Sequence, residues 1–268
     1  MLKHFDSLEA FIDYACRDSD VDTDNRSSRI VSTSNYLGTR TFSEALDLAL
    51  YGWTEGRDRA AQLANRIVES VTGSHGVASR WRSQTGVTGS RPHVPNAIAG
   101  KPNSMIRYTR QPVAHPIVSV VLNLGASGDI TGEEMISRGA ATAALVDVLE
   151  ATGRRCEVIG VSRVSSSTDY RDTLEYRITL KRAQDALDAD VMAFALSNPA
   201  MLRRLVFSAR ETEDTTTRKR IGIPGGYGQP QDTDDRGDVY VPAMKYGQRY
   251  GDTWVQQQLR SQGVEIGE

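Results

Sequence analysis

A chain of 268 residues, 39% hydrophobic and 25% charged, has enough apolar material for a globular core and fits one large domain or two small ones. A formal net charge of −2 excludes a global field drawing the whole molecule to nucleic acid or an anionic membrane, and leaves only a local basic patch open. No apolar run approaches the roughly 20 residues of a membrane span. Met1-Leu2-Lys3-His4 leads into a polar, acidic segment unlike a secretory leader, so the expected setting is a reducing cytoplasm with no membrane partner.

The first 20 residues carry a helical stripe of Phe5, Leu8, Phe11, Ile12 and Ala15, capped by Asp6 or Ser7. After a polar loop over 18–29, Thr41-Phe-Ser-Glu44 opens a second helix that ends near Gly52. A third helix spans Arg57–Val71 on the stripe Ala60, Ala61, Ala64, Ile67 and Val68. Residues 1–72 therefore read as a helical N-terminal extension.

From 73 to 113 the composition turns to Gly, Ser, Arg, Pro and Thr, with Pro92, Pro95, Pro102 and Pro112 interrupting any regular element. The segment reads as an irregular linker or arm. It is the most basic part of the chain, and Trp81 and Tyr108 are interleaved with its cations. Arg80, Trp81, Arg82, Arg91, Arg107 and Arg110 are the candidate contacts to a nucleic acid or a protein partner. A solvated connector lying over the domain is the competing reading.

Residues 114–268 carry the clearest pattern. Pro116–Asn123 is a continuous apolar, β-branched run, as expected of a strand buried on both faces of a parallel sheet. A Gly-rich turn over 124–132 follows, then a helix from Glu133 to Ala151 stopped by Gly153, then a strand over Cys156–Ser162. Together they form one βαβ unit of a Rossmann-like α/β domain: a mostly parallel sheet with flanking helices. Leu174–Leu180 alternates like an edge or antiparallel strand. Two helices follow, separated at Asn198-Pro199; then a short strand over Asp238–Pro242, a helix over Thr253–Gln262, and a last strand over Val264–Ile266.

Ligands collect at the carboxyl ends of strands in such sheets, which singles out the turn with Gly128, Asp129 and Thr131. Its glycines at 125, 128 and 132 fit neither a dinucleotide fingerprint nor a P-loop, and no acid closes the second strand. The four histidines lie outside the expected core elements, and no metal-binding histidine pair or catalytic triad emerges. Cys16 and Cys156 match no ligand spacing, and Cys156 reads as a buried, reduced thiol. No catalytic residue is assigned. The acidic run Asp232, Asp234, Asp235, Asp238 reads as a solvated loop, with a cation site as the alternative. Arg203 and Arg204 read as a helix pair meeting either phosphate or the carboxylates of Glu211 and Glu213.

The run from Ile117 to Ser162 resembles the first β-α-β of a von Willebrand factor A (vWA) domain. In that family a buried strand ends in Asp-x-Ser-x-Ser; here Asn123-Leu-Gly-Ala-Ser127 stands at the motif, and Leu149-Glu150, Gly153 and Glu157–Ser162 continue the likeness. The resemblance implies a Mg²⁺ site of carboxylate and hydroxyl ligands. At Asn123, Gly125 and Ser127 only Ser127 keeps its oxygen. The expectation is a degenerate site without metal or other cofactor, with Mg²⁺ as the weaker alternative. The segments 52–56, Arg138–Ala141, Asn198–Arg204 and 225–228 are similar to a family of phage and prophage proteins, which implies action in a bacterial host cytoplasm. The functional expectation is a non-enzymatic binding or assembly adaptor with a protein partner or a second copy of itself. The alternatives are a nucleic-acid-binding protein using the arm 80–110, or a nucleotide-dependent enzyme using Gly125–Gly132.

Overall fold

The computed structural model of the chain describes residues 1–19, 26–69, 79–112, 117–166, 172–223 and 226–265. Val71 and Ile266, expected in the third helix and the last strand, lie outside these residues. The described chain forms two compact units: residues 1–73 with 117–268, and residues 74–116.

The larger unit is an α/β structure built on a mixed, mostly parallel sheet with flanking helices. Its strands are β1 (Leu2–Phe5), β5 (Ile117–Asn123), β6 (Arg155–Ser165), β7 (Thr173–Lys181), β8 (Gln229–Gln231) and β9 (Val239–Val241), in the order β1-β7-β6-β5-β9 with β8 beside β6. β5 sits inside the sheet, parallel to β6 on one side and to β9 on the other. Val120, Val121 and Leu122 are fully buried, while the first residue of the strand, Ile117, is exposed. Val118, Val120 and Leu122 join the main core, and Val121 packs on the opposite face with Ile159 and Val161. An apolar run without alternation is the sequence mark of a strand covered on both sides.

The helix after β5, α5 (Gly132–Ala151), begins at a capping box. Thr131 accepts from the Glu134 amide, and the Glu134 carboxylate accepts from the Thr131 amide. In the middle of α5, Gly139 faces the end of α6 (Ala189–Ser197) so closely that a Cβ there would fall 2.2 Å from Leu196 O. After Asn198-Pro199 the chain runs as a π-helix over Met201–Val206 and continues into α7 (Phe207–Glu211). Cys156 is buried, which pushes its thiol up to about 12, and Cys16 is exposed. Among the described residues no helix is long and apolar enough to cross a membrane.

The first residues are not a separate helical extension. Leu2–Phe5 form β1, which pairs in parallel with β7 from Leu2–Glu175 to Phe5–Ile178. Phe5 then packs edge-on against Phe11 of α1 (Leu8–Ala15) and against Tyr176. α2 (Phe42–Tyr51) and α3 (Thr54–Val68) pack on α6, and α3 also on α5. Their apolar stripes are too narrow to form a core alone, so they complete the core of the sheet domain. β7 is consequently antiparallel to β6, as its alternation suggested, but it is not an edge strand.

The smaller unit is not irregular either. β2 (Ser79–Gly86) pairs antiparallel with β4 (Met105–Pro112) along its full length, and β3 (Arg91–Pro92) adds to β4. His93 caps the short α4 (Val94–Ile98). The residues of these strands are mostly polar, so the sequence carries no hydrophobic alternation there. No residue from Ser83 to Tyr108 is buried.

Candidate functional site

β6 is longer than β5, whose last residue, Asn123, lies opposite Val161. Beyond that point Arg163–Ser165 pair with β8 instead. The carboxyl end of β5 therefore opens under the Gly125–Gly128 turn, with β8 as one rim and the π-helix and α7 as the other. These parts enclose a cavity of about 290 Å³ lined by Tyr36, Gly125–Gly128, Val164, Leu202, Arg203, Phe207, Arg210 and Tyr227–Pro230.

Two arginines dominate its chemistry. Arg203, 1% exposed, donates to Tyr36 O at 2.7 Å and to Ile130 O at 2.5 Å, and its guanidinium lies 3.5 Å from the centre of the Tyr36 ring. Arg210, 2% exposed, donates to Tyr227 O at 2.8 Å and to Ser162 Oγ at 2.5 Å, while its Nε has no partner. A third guanidinium, on Arg138 of α5, lies buried against the same turn. It reaches Gly125 O and Pro242 O at 3.4 and 3.3 Å, and its Nε is likewise unpartnered. Burial lowers all three pKa values, to about 10 for Arg138 and Arg210, so each stays cationic at neutral pH.

None of the three has an ion-pair partner among the described residues. The nearby acids are engaged elsewhere. Glu211 accepts from Arg26 Nε at 2.9 Å, from Ser28 Oγ at 2.5 Å and from Tyr227 Oη. Glu213 accepts from Lys3 at 2.5 Å and from Tyr14 and Tyr176, each at 2.6 Å. The expected pairing of Arg203 and Arg204 with Glu211 and Glu213 is thus replaced. Arg204 is buried and donates to the carbonyls of Ser28, Ile30, Thr39 and Arg40 at 2.6–2.9 Å. The cavity wall also carries a stacked aromatic pair, Phe207 and Tyr227, with centroids 3.8 Å apart and planes 3° from parallel.

Of the residues singled out in the sequence, Gly125, Ser127 and Gly128 line the cavity. Asn123 is fully buried and occupied: Nδ2 donates to Gln231 O and Tyr240 Oη, and Oδ1 accepts from the Gly125 amide. Thr131 is the helix cap, and Asp129 is exposed outside the lining. The acidic run is dispersed: Asp234 pairs with Arg163, Asp235 with Arg177, Asp232 accepts from Tyr240, and Asp238 from the Ser119 amide. Arg91, Arg107 and Tyr108 are exposed, with Arg91 donating to Tyr108 Oη; Arg80, Trp81 and Arg82 lie on β2 and Arg110 on β4.

Sequence reasoning assigned no role to Arg138, Arg210 or Tyr227, and set Arg203 beside Arg204 as a pair meeting phosphate or the carboxylates of Glu211 and Glu213. The available signal was compositional. Met201-Leu-Arg-Arg-Leu-Val-Phe-Ser-Ala-Arg210 sets arginines into an otherwise apolar helix, where a charge must find acceptors. The π-helix at this stretch is a second mark, since such segments recur at functional sites.

A comparison with curated proteins found no match, and a comparison with solved structures found none either. One family model matches residues 1–266, and so runs through both units of the fold. The chain belongs to that family, described as Domain of unknown function (DUF7192).

Proposed function

We propose that the chain is a non-catalytic binding module on a vWA-like domain, and that its ligand enters the cavity at the end of β5 through an anionic group. The antiparallel placement of β7 beside β6 supports the vWA-like reading, as does the position of Asn123 at the last residue of a buried strand. The observation that carries the functional reading is Arg203 and Arg210. Two buried cations face one cavity whose lining, among the described residues, holds no carboxylate.

Where the vWA motif gathers oxygen ligands around Mg²⁺, this turn does not fit the ion. The Asn123 oxygen is taken by a backbone amide, position 125 has no side chain, and guanidinium groups would repel a divalent cation. Positive charge comes here from the protein itself. A carboxylate or phosphate would supply the counter-charge that both arginines lack.

Among the described residues no histidine, cysteine, lysine or acid lines the cavity, and none stands beside Ser127 as a general base. That favours binding over hydrolysis. A protein partner presenting an acidic side chain, in a phage-encoded assembly, is the setting we propose. The test is a thermal-shift series with sulfate, phosphate, citrate and MgCl₂. Saturable stabilisation by the anions, lost in Arg210→Met, supports the reading; a ligand at 100 times its Kd adds about 2.7 kcal/mol. Stabilisation by MgCl₂ alone would overturn it.

A further inference from the structure

The chain's charges divide unevenly. Between Ser74 and Pro116 lie six Lys and Arg residues and not one Asp or Glu, which leaves −8 on the rest of a chain whose total is −2. This stretch is one compact unit, a β-ribbon of eight residue pairs. At about 3.3 Å per residue the ribbon is roughly 26 Å long. We propose that this unit binds nucleic acid along its phosphate backbone, independently of the cavity at β5.

Three observations carry this. The first is the absence of acids: nothing within the unit can neutralise its cations, and no ion pair forms there among the described residues. A polyanion with regularly spaced charge answers that need without a shaped pocket. The second is the lack of a core. From Ser83 to Tyr108 no residue is buried, and this part of the sheet gains little from packing on its own. A partner covering one face would supply what packing does not.

The third is the chemistry of the exposed groups. Arg91 lies over the Tyr108 ring at 5.5 Å and donates to its hydroxyl, so a planar ring and a guanidinium are presented together. That combination suits nucleotides, which offer a phosphate and a stackable base side by side. By register, Arg80 and Arg82 of β2 pair with Gln111 and Thr109 of β4, and Arg107 and Arg110 of β4 with Gln84 and Trp81, so the sequences of both strands carry cationic residues. Beyond the two residues of β3, which pair only with Met105 and Ile106, the ribbon is two-stranded and narrow enough for a major groove about 12 Å wide. The exposed Val87 and Ile98, which would suit a protein surface better, lie in the turn after β2 and on α4 rather than on these strands.

The test uses the full chain, a fluorescently labelled mixed-sequence duplex and the matching single strand, titrated by anisotropy at several salt concentrations. The comparison is a triple variant, Arg91→Gln, Lys101→Gln and Arg107→Gln; all three side chains are exposed, and an unchanged Tm shows that it folds. Binding should weaken at least about tenfold, and the salt slope should fall by about 2–3, as each phosphate contact contributes about 0.7–0.9. Absence of binding at low salt, or binding that the variant leaves unchanged, overturns the proposal. Sedimentation in parallel tests the rival occupant: self-association removed by the variant, without nucleic-acid binding, would assign the ribbon to a second copy of the chain instead.

Discussion

Arg210 donates to Ser162 Oγ at 2.5 Å, tying α7 to β6 across 48 residues of sequence. Ser162 is 1% exposed, so removing its hydroxyl takes a buried acceptor away from a guanidinium nitrogen. Ser162→Ala should cost about 1–3 kcal/mol of stability, read as a shift of the urea midpoint at constant m. It should also loosen Arg210 and weaken anion binding. A variant as stable as the parent would show that Arg210 finds other acceptors.

The charge of Arg210 sets a pH profile. Burial lowers its pKa to about 10, and a base is cationic below its pKa and neutral above it. Sulfate, which does not titrate in this range, should therefore bind equally well from about pH 6 to about pH 9. Affinity should fall only as pH rises past 10, and later still once bound sulfate holds the proton on. Affinity that declines between pH 6 and 8 would point to a histidine outside the cavity and against Arg210.

Arg204 holds residues 28–40 through four carbonyl acceptors, two on each terminal nitrogen. A lysine carries three donors on a single nitrogen and cannot span both strands of that loop. Arg204→Lys should lose about 3–5 kcal/mol and speed amide exchange in residues 28–40. A loss within about 0.5 kcal/mol would contradict this bracing role.

Gly139→Ala reverses an ordinary expectation. Alanine in place of a helical glycine usually gains about 1 kcal/mol. Here the added Cβ would meet backbone of α6, at 2.2 Å from Leu196 O and from Ser197 Cα, so two helices must separate. Destabilisation by more than about 1 kcal/mol is expected in chemical denaturation, against that intrinsic gain.

The βαβ unit was legible because each part carried a local signal: an uninterrupted apolar run, a Gly-rich turn, an amphipathic helix and a Gly153 stop. β1 was not. Four residues, with Leu2 63% exposed and Lys3 and His4 between apolar neighbours, show no period that outweighs the helical stripe beside them. The ribbon of β2 and β4 was hidden because its residues are mostly polar and show no alternation. The turn at the site was found, since position after a parallel strand suffices to mark it. Its charge was not, because Arg203 and Arg210 come from a helix about 80 residues downstream of the turn, and their burial depends on carbonyls of residues 36, 130 and 227. Tertiary acceptors of that kind leave no trace in local pattern.

The central claim is that the cavity at the end of β5 takes an anion between buried arginines. The most direct measurement is the anomalous map of a crystal of the full chain soaked in millimolar tungstate. The account predicts a peak inside the cavity, within hydrogen-bond reach of Arg210 Nε, that disappears in Arg210→Met. Tungstate found only on the basic ribbon or at scattered surface lysines, with the cavity empty, would contradict it.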